Sequence, residues 1–497
     1  MKKRPLGPRK DFRGPKPEKR VKTKRDKDPN SLSNRALRED LVMLACLEAY
    51  GSVRHDGRLA DRALDFTLRR EKHLYSQERR AVAERVYALL RKQRLVDFLA
   101  EVKVKGFEAL VSSRKDIYRF AISRVLEGED VSAVLQAQSM AGSEAAWLKT
   151  LHQAMAKLTE LTEVEHFAIE ASIPDFLAQK LMTELGTEAR GVGQAMNKRG
   201  PLCARTNPLK GTREEVAKLL EGEGVKVTPT LLSPFGLVLE TRTNVYALET
   251  FKAGYFEVQD EGSQLLGMLV DAPPRKVIDA CAGAGGKALQ LAAQMKNRGE
   301  IYALDVDERR LEDLKQRARR AGVHNVRIQV IAQGPEAEEQ LLKLQGQAER
   351  VLVDAPCSGS GTYRRKPDAR YRLTLALLAE HVEKQKMLID RFAKLVKPGG
   401  RLIYGTCSLL REENEGVIEH FLASHPDFTL TPVTPWLGEA LAAQTTRDGM
   451  LRLYPHRHDT DGFFGAVLVR KGSAAGSTER RTSEAESSPG SHGSKVK

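Results

Sequence analysis

Two of the five cysteines, Cys357 and Cys407, occupy positions suited to a nucleophile. Each follows a short apolar run that reads as a β-strand. Arg350–Asp354 leads through Ala-Pro into Cys357, and Arg401–Thr406 leads directly into Cys407. Cys46 and Cys203 fall inside helix-like and strand-like stretches, where a thiol is a small hydrophobe. A third run, Cys281-Ala282-Gly283-Ala284-Gly285-Gly286-Lys287, joins the strand candidate Lys276–Asp279 to a helix beginning near Ala288. Glycines at such a turn let the backbone come close to a ligand, and the helix start offers unpaired N–H groups.

Three cofactors use turns of this kind. A phosphate loop needs a glycine ahead of its Gly-Lys pair and a hydroxyl after it, but Cys281 and Ala288 stand in those places. A dinucleotide fingerprint needs GxGxxG, and Gly283-Ala284-Gly285-Gly286 lacks the third spacing. S-adenosylmethionine remains, since its loop is glycine-rich without a fixed phosphate cradle. Taken alone, the turn could be only a tight connection. The next strand candidate, Glu300–Asp305, ends in a carboxylate that can accept both hydroxyls of a ribose. Helix capping is the other reading of that acid, a role Asp307 could also fill.

Carbon 5 of a pyrimidine is a poor nucleophile. Adding a thiolate to carbon 6 makes the ring an enamine whose carbon 5 can attack a sulfonium methyl group. A base must then take the carbon-5 proton before the sulfur leaves, and Asp354 could bond the base edge and support charge at ring nitrogen 3. Methylation of oxygen or nitrogen needs no thiol, so two thiols, an acid and a glycine turn favour carbon methylation. The residues alone leave the two cysteines nearly interchangeable.

The elements that must position these groups read as three domains between two tails. From about Asn34 to Leu161 the pattern is helical, with Leu41, Leu44, Ala45 and Leu47 on one expected face. Ala83, Val86, Tyr87, Leu89 and Leu90 repeat that spacing further on. Residues 162–260 read as a small α+β unit, with strands at Leu202–Thr206, Val225–Thr228 and Leu237–Leu239 and a helix at Thr212–Glu221. Residues 261–471 alternate strand and helix as in a doubly wound, Rossmann-like α/β sheet. Further strands are expected at Val326–Ile331 and Gly465–Val469. Residues 1–33 and 472–497 read as disordered.

Of the net charge of +15, +9 lies in residues 1–30, where thirteen Lys/Arg meet four acids. A basic tail on a basic body suggests a polyanion such as RNA, though a solubility tail is the plainer reading. No CxxC pair or His/Cys cluster suggests a metal. The sparse cysteines fit a reducing cytoplasm. No apolar run is long enough for a membrane span, and no signal peptide is evident.

At these residues the chain resembles the RsmB/Sun family of bacterial ribosomal RNA cytosine-5 methyltransferases. The matching stretches are DACAGAGGK (279–287), ALDVDERRL (303–311), VLVDAPCSGSGTYRRKPDARY (351–371), KPGGRLIYGTCSLLREENE (397–415) and HRHDTDGFF (456–464). Upstream, the helical region resembles a NusB-like domain. HFAIEASIPDFLAQKL (166–181) and RTNPLKGT (205–212) resemble the small RNA-binding unit before the catalytic domain.

The resemblance implies a nucleophile at Cys407 in the Thr-Cys-Ser segment and a product-release cysteine at Cys357 in the Pro-Cys-Ser-Gly segment. It assigns Asp354 and Lys287 to catalysis, and Cys281–Lys287, Asp305 and Asp354 to S-adenosylmethionine. It implies a monomeric enzyme acting on small-subunit (16S) rRNA. A tRNA cytosine-5 methyltransferase and a non-catalytic RNA-binding assembly factor are the alternatives. Two departures stand out. Gly283-Ala284 replaces the family's usual Ala-Pro, and Gln333-Gly334-Pro335-Glu336 replaces its Gly-Asp-Gly, leaving Glu336 as the candidate substitute for that acid.

Overall fold

The computed structural model describes residues 36–138, 140–241 and 243–472. The basic N-terminal stretch and nearly all of the C-terminal one lie outside the described residues.

The chain opens with helices at Glu39–Arg54, Ala60–Arg70, Ser76–Arg91, Gln93–Lys103 and Ser112–Leu126 around one apolar core. The buried stripe of the first helix runs through Val42, Ala45, Cys46, Ala49 and Tyr50, whereas Leu44, expected inside, is 65% exposed. Of the expected face, Ala45 is buried and Leu41 and Leu47 pack against the core at its edge, so only Leu44 departs from it. The small side chains of Ala45, Cys46 and Ala49 let neighbouring helices approach closely, which favours dense packing.

Helices Glu163–Glu170, Asp175–Leu185 and Ala189–Met196 share a core with Tyr363, Leu409 and Tyr454 from far downstream. Next comes a four-stranded antiparallel sheet of β1 (Cys203–Thr206), β2 (Val227–Pro229), β3 (Gly236–Leu239) and β4 (Phe256–Val258), in the order β2-β3-β1-β4. The helix Arg213–Gly222 packs on it through Val216 and Leu220. Thr212 and Glu215 begin that helix with a reciprocal pair of side-chain-to-backbone bonds, of 3.2 and 2.8 Å. β4 was not among the expected strands. Its three residues are too few to show an alternating pattern.

The last domain is built on a nine-stranded sheet. Its strands are β5 (Lys276–Asp279), β6 (Glu300–Asp305), β7 (Val326–Val330), β8 (Ala348–Asp354), β9 (Val396–Thr406), β10 (Phe428–Thr431), β11 (Thr446–Arg447), β12 (Met450–Leu453) and β13 (Phe463–Arg470). The spatial order is β7-β6-β5-β8-β9-β13-β12-β11, with β10 also paired to β13. β5 to β9 are parallel, while β13 runs antiparallel to β9, with Phe464 opposite Thr406. β10, β11 and β12 were not anticipated. The β12–β13 connection falls short of the roughly dozen residues a parallel crossover needs, which forces the antiparallel end.

Side chains alternate between the sheet's two faces, so Val277 and Ile403 enter one apolar core while Ile278, Leu402 and Tyr404 enter the other. From β5 the chain winds outward through β6 and β7, then returns to β8 on β5's other side. Ligands bind outside the carboxyl ends of strands at such a reversal. No described helix is long and apolar enough to cross a membrane.

Candidate active site

The glycine turn lies at this reversal. Ala282 N–H bonds Leu304 O at 2.9 Å, and Gly283 N–H donates to Asp305 Oδ2 at 2.8 Å. Gly285 has φ 83° and precedes the helix Gly286–Gln294. A Cβ there would lie 2.4 Å from Leu314 Cγ, so this position requires glycine twice over. Gly283 has φ 53° and open space where a Cβ would be. Arg317 Nη1 holds Ala284 O at 2.7 Å, and Arg205 Nη1, reaching from β1, holds Gly286 O at 2.7 Å. Burial lowers the Arg205 guanidinium to about 10.

A cavity of about 730 Å³ opens against this turn, with Cys281, Ala282, Gly283, Ala284, Asp305 and Asp354 in its wall. Gly285, Gly286 and Lys287, also expected to contact cofactor, do not line it. Gly285 and Gly286 start the helix, and Lys287 forms an ion pair with Asp354. Asp305 Oδ1 accepts Asp307 N–H at 2.9 Å, while Asp307 itself caps the helix Glu308–Ala321 through the Arg309 and Arg310 N–H groups. Capping is thus Asp307's task, and Asp305 keeps a place on the cavity wall. Glu336 is exposed and does not line the cavity, whereas Gln333 and Gly334 do. Glu336 instead begins the helix Glu336–Leu341, which leaves it no part in this wall.

An adenosine-bearing sulfonium fits these residues. The wall offers a carboxylate for ribose hydroxyls, an open glycine backbone beside a helix start, and apolar surface from Ile331, Met387, Leu388 and Phe392.

At the tip of β8, Asp354 Oδ2 meets Lys287 Nζ at 2.6 Å, and the ammonium sits 5.6 Å from the centre of the Phe463 ring. Asp279 is buried, and burial, with the Asp354 carboxylate next, lifts its carboxyl to about 7.

Cys357 Sγ and Cys407 Sγ lie 3.4 Å apart. The bond to the Cys407 sulfur, followed by burial, holds the Cys357 thiol well above the ordinary cysteine range, so it keeps its proton at neutral pH. Cys281 lies in the wall of the cavity of about 730 Å³ with its thiol also raised by burial, and Cys46 and Cys203 are buried elsewhere.

Glu413 clamps the two cysteine loops together. Its Oε1 accepts Ser358 N–H at 2.8 Å and Gln385 Nε2 at 3.0 Å. Its Oε2 accepts the Ser358 and Ser408 hydroxyls, each at 2.5 Å. Gly361 N–H adds a bond to Cys407 O at 2.9 Å, and Ser360 Oγ accepts Leu409 N–H at 2.8 Å. Sequence reading did not single out Glu413. The one available signal was an acid placed six residues after a cysteine, which is weak. Among the described residues, no group of three or more His, Cys, Asp or Glu is placed to hold a metal.

A mixed sheet, parallel from β5 to β9 with an antiparallel end, a glycine turn and an acid ending the second strand define a Rossmann-like methyltransferase domain. Residues 268–469 match the model of the 16S rRNA methyltransferase RsmB/F family, and residues 173–246 match that family's ferredoxin-like domain. The chain belongs to the RsmB/F family. It is 31% identical over 434 residues to a probable ribosomal RNA small subunit methyltransferase B of Synechocystis sp., covering 82% of this chain and 95% of the relative. A Bacillus subtilis protein of the same description is 33% identical over 314 residues, 62% of this chain and 69% of its own. The crystal structure of PH0851 superposes with a TM-score of 0.70 at 29% identity, covering 87% of this chain and 99% of that one.

Proposed function

We propose that this protein methylates carbon 5 of a cytosine in small-subunit rRNA, with S-adenosylmethionine as donor and Cys407 as nucleophile. The juxtaposition of Cys357 and Cys407 at 3.4 Å carries the reading, because methyl transfer to oxygen or nitrogen has no use for a paired thiol. The Cys407 thiolate adds to carbon 6, and the displaced electron pair makes carbon 5 nucleophilic. Bound S-adenosylmethionine supplies an electrophilic methyl group. Release takes the carbon-5 proton to a base, breaks the C6–S bond and returns the electron pair to Cys407. Cys357 serves this step, since its thiol faces the departing sulfur. Asp354, held by Lys287, bonds the pyrimidine edge.

Residues 34–161 form a helical NusB-like domain, 162–260 a small RNA-binding domain and 261–471 the catalytic domain. The enzyme works as a monomer in the cytoplasm. The test is transfer of a radiolabelled methyl group to small-subunit rRNA lacking the modification, followed by mapping. Label on carbon 5 of one cytosine is expected. Label on another atom, or none, overturns the reading.

A further inference from the structure

A second cavity, of about 960 Å³, lies between the helix Ser76–Arg91, the segment after Met196 and the loop that continues from Cys357. Seven Lys/Arg side chains and three Glu line it. Three of the seven, Arg80, Arg91 and Lys198, form no ion pair among the described residues. Arg91 gives its Nε to Arg364 O at 3.2 Å and forms no ion pair among the described residues. Burial, then repulsion from Arg370 and Arg199, brings Arg91 down to about 10.

Arg370, fully buried beside it, spends its guanidinium on the carbonyls of Arg91, Ala171, Met196 and Tyr363 and on Asn197 Oδ1, with no carboxylate. Arg364 is paired with Asp459 at 2.8 Å and has Asp461 3.9 Å from its Nε, and Arg365 is paired with Asp260 and Asp461, so these two anchor the cavity floor and the unpaired charge lies on Arg80, Arg91 and Lys198. Arg199 approaches Glu84 only to 3.8 Å, and Glu127 is engaged by Lys92 at 2.6 Å. Arg80 and Lys198 are exposed at the rim, and neither side chain forms an ion pair or hydrogen bond among the described residues.

Like charges gathered in a partly dehydrated cleft repel one another, and an anion relieves that repulsion. Several cationic points spread along a cavity match spaced phosphates better than one small ion. The half-buried Tyr87 ring, 5.7 Å from Arg91, adds a face on which a base can stack. The cavity is also connected to the thiols. Arg364 and Arg365 continue the loop of Cys357 and of Gly361, whose N–H holds Cys407 O at 2.9 Å.

We propose that this cavity binds the sugar–phosphate backbone of the single-stranded rRNA flanking the target cytosine. The inference rests on the rRNA reading above and names where that RNA lies.

The test uses the full chain with small-subunit rRNA lacking the modification, in a KCl series. The double variant Arg80→Gln/Lys198→Gln removes two rim charges that no fold contact needs, and Arg91→Gln removes the buried one. The double variant is expected to lower the slope of log affinity against log salt by roughly 1.4, at about 0.7 per phosphate of a single strand. KM for RNA should rise about tenfold in either variant, with the loss in KM rather than kcat and with S-adenosylmethionine affinity intact. Unchanged slope and KM overturn the proposal, and the double variant decides if Arg91→Gln proves unstable. Should the unaltered protein bind this RNA yet transfer no methyl group, the functional reading fails, while the salt slope still judges the cavity.

Discussion

The sulfurs of Cys357 and Cys407 lie 3.4 Å apart although 50 residues separate them in the chain. β8 and β9 are parallel neighbours with Asp354 opposite Gly405, so the two loops leave the sheet side by side. Adjacent strands are about 4.8 Å apart, which puts side chains at their tips within reach of each other. Glu413 then ties both loops to one carboxylate.

This pairing predicts opposite outcomes for two conservative variants. Cys407→Ser should abolish methyl transfer and form no covalent RNA adduct. Cys357→Ser should methylate once and stall, appearing on a denaturing gel as a slow, protease-sensitive band bound to RNA. An adduct with Cys407→Ser instead would reverse the roles. If neither variant traps RNA, the release step does not depend on Cys357.

Glu413→Gln exchanges an acceptor-only group for one with two donors, facing a backbone N–H, an amide and two hydroxyls. Unfolding in denaturant should show a loss of about 2–3 kcal/mol, the cost of leaving buried donors unpaired. Activity should fall while S-adenosylmethionine affinity stays unchanged, because Glu413 does not line the cavity proposed for that donor. A variant of full stability and activity would show that the clamp is dispensable.

Asp305→Ala should weaken S-adenosylmethionine binding by about 1–3 kcal/mol in a calorimetric titration. Two causes add here: lost bonds to ribose, and a Gly283 N–H released from its 2.8 Å bond. Unchanged affinity would remove Asp305 from the site.

Asp279 makes a pH prediction. Its folded carboxyl titrates at about 7, against 3.8 for an ordinary aspartate. Between those values the folded protein keeps a proton that the unfolded chain has lost. Stability therefore declines as pH rises through that window, by up to about 1.4 kcal/mol per unit. Below both values the dependence vanishes. Asp279→Asn should flatten the decline, read as a difference from the unaltered protein in denaturant unfolding at several pH values. Parallel curves would mean that Asp279 is already ionised when folded.

Much of the architecture was legible in sequence. The strands β5, β6, β8 and β9 were recognisable as short apolar runs and β7 as an alternating one, each bounded by turn or helix signals, and the glycine turn and both cysteines follow directly from them. Hidden features had weak local signals. β4 and β10 to β12 are short or at sheet edges, and Leu44 shares helical spacing with Leu41, Ala45 and Leu47 but alone among them faces solvent.

Residue types and spacing by themselves determined that two thiols, an acid and a glycine turn would gather at the carboxyl ends of parallel strands. The alternation of side chains along each strand follows from the backbone pattern, which local sequence encodes. Only the tertiary structure decided which acid caps a helix and which faces the cavity, since Asp305 and Asp307 are chemically alike and differ only in what surrounds them. Tertiary structure also decided that Glu413 is a buried clamp and that arginines from three distant segments crowd one cleft. Burial and the meeting of residues far apart in the chain come from packing, and no short window of sequence contains them.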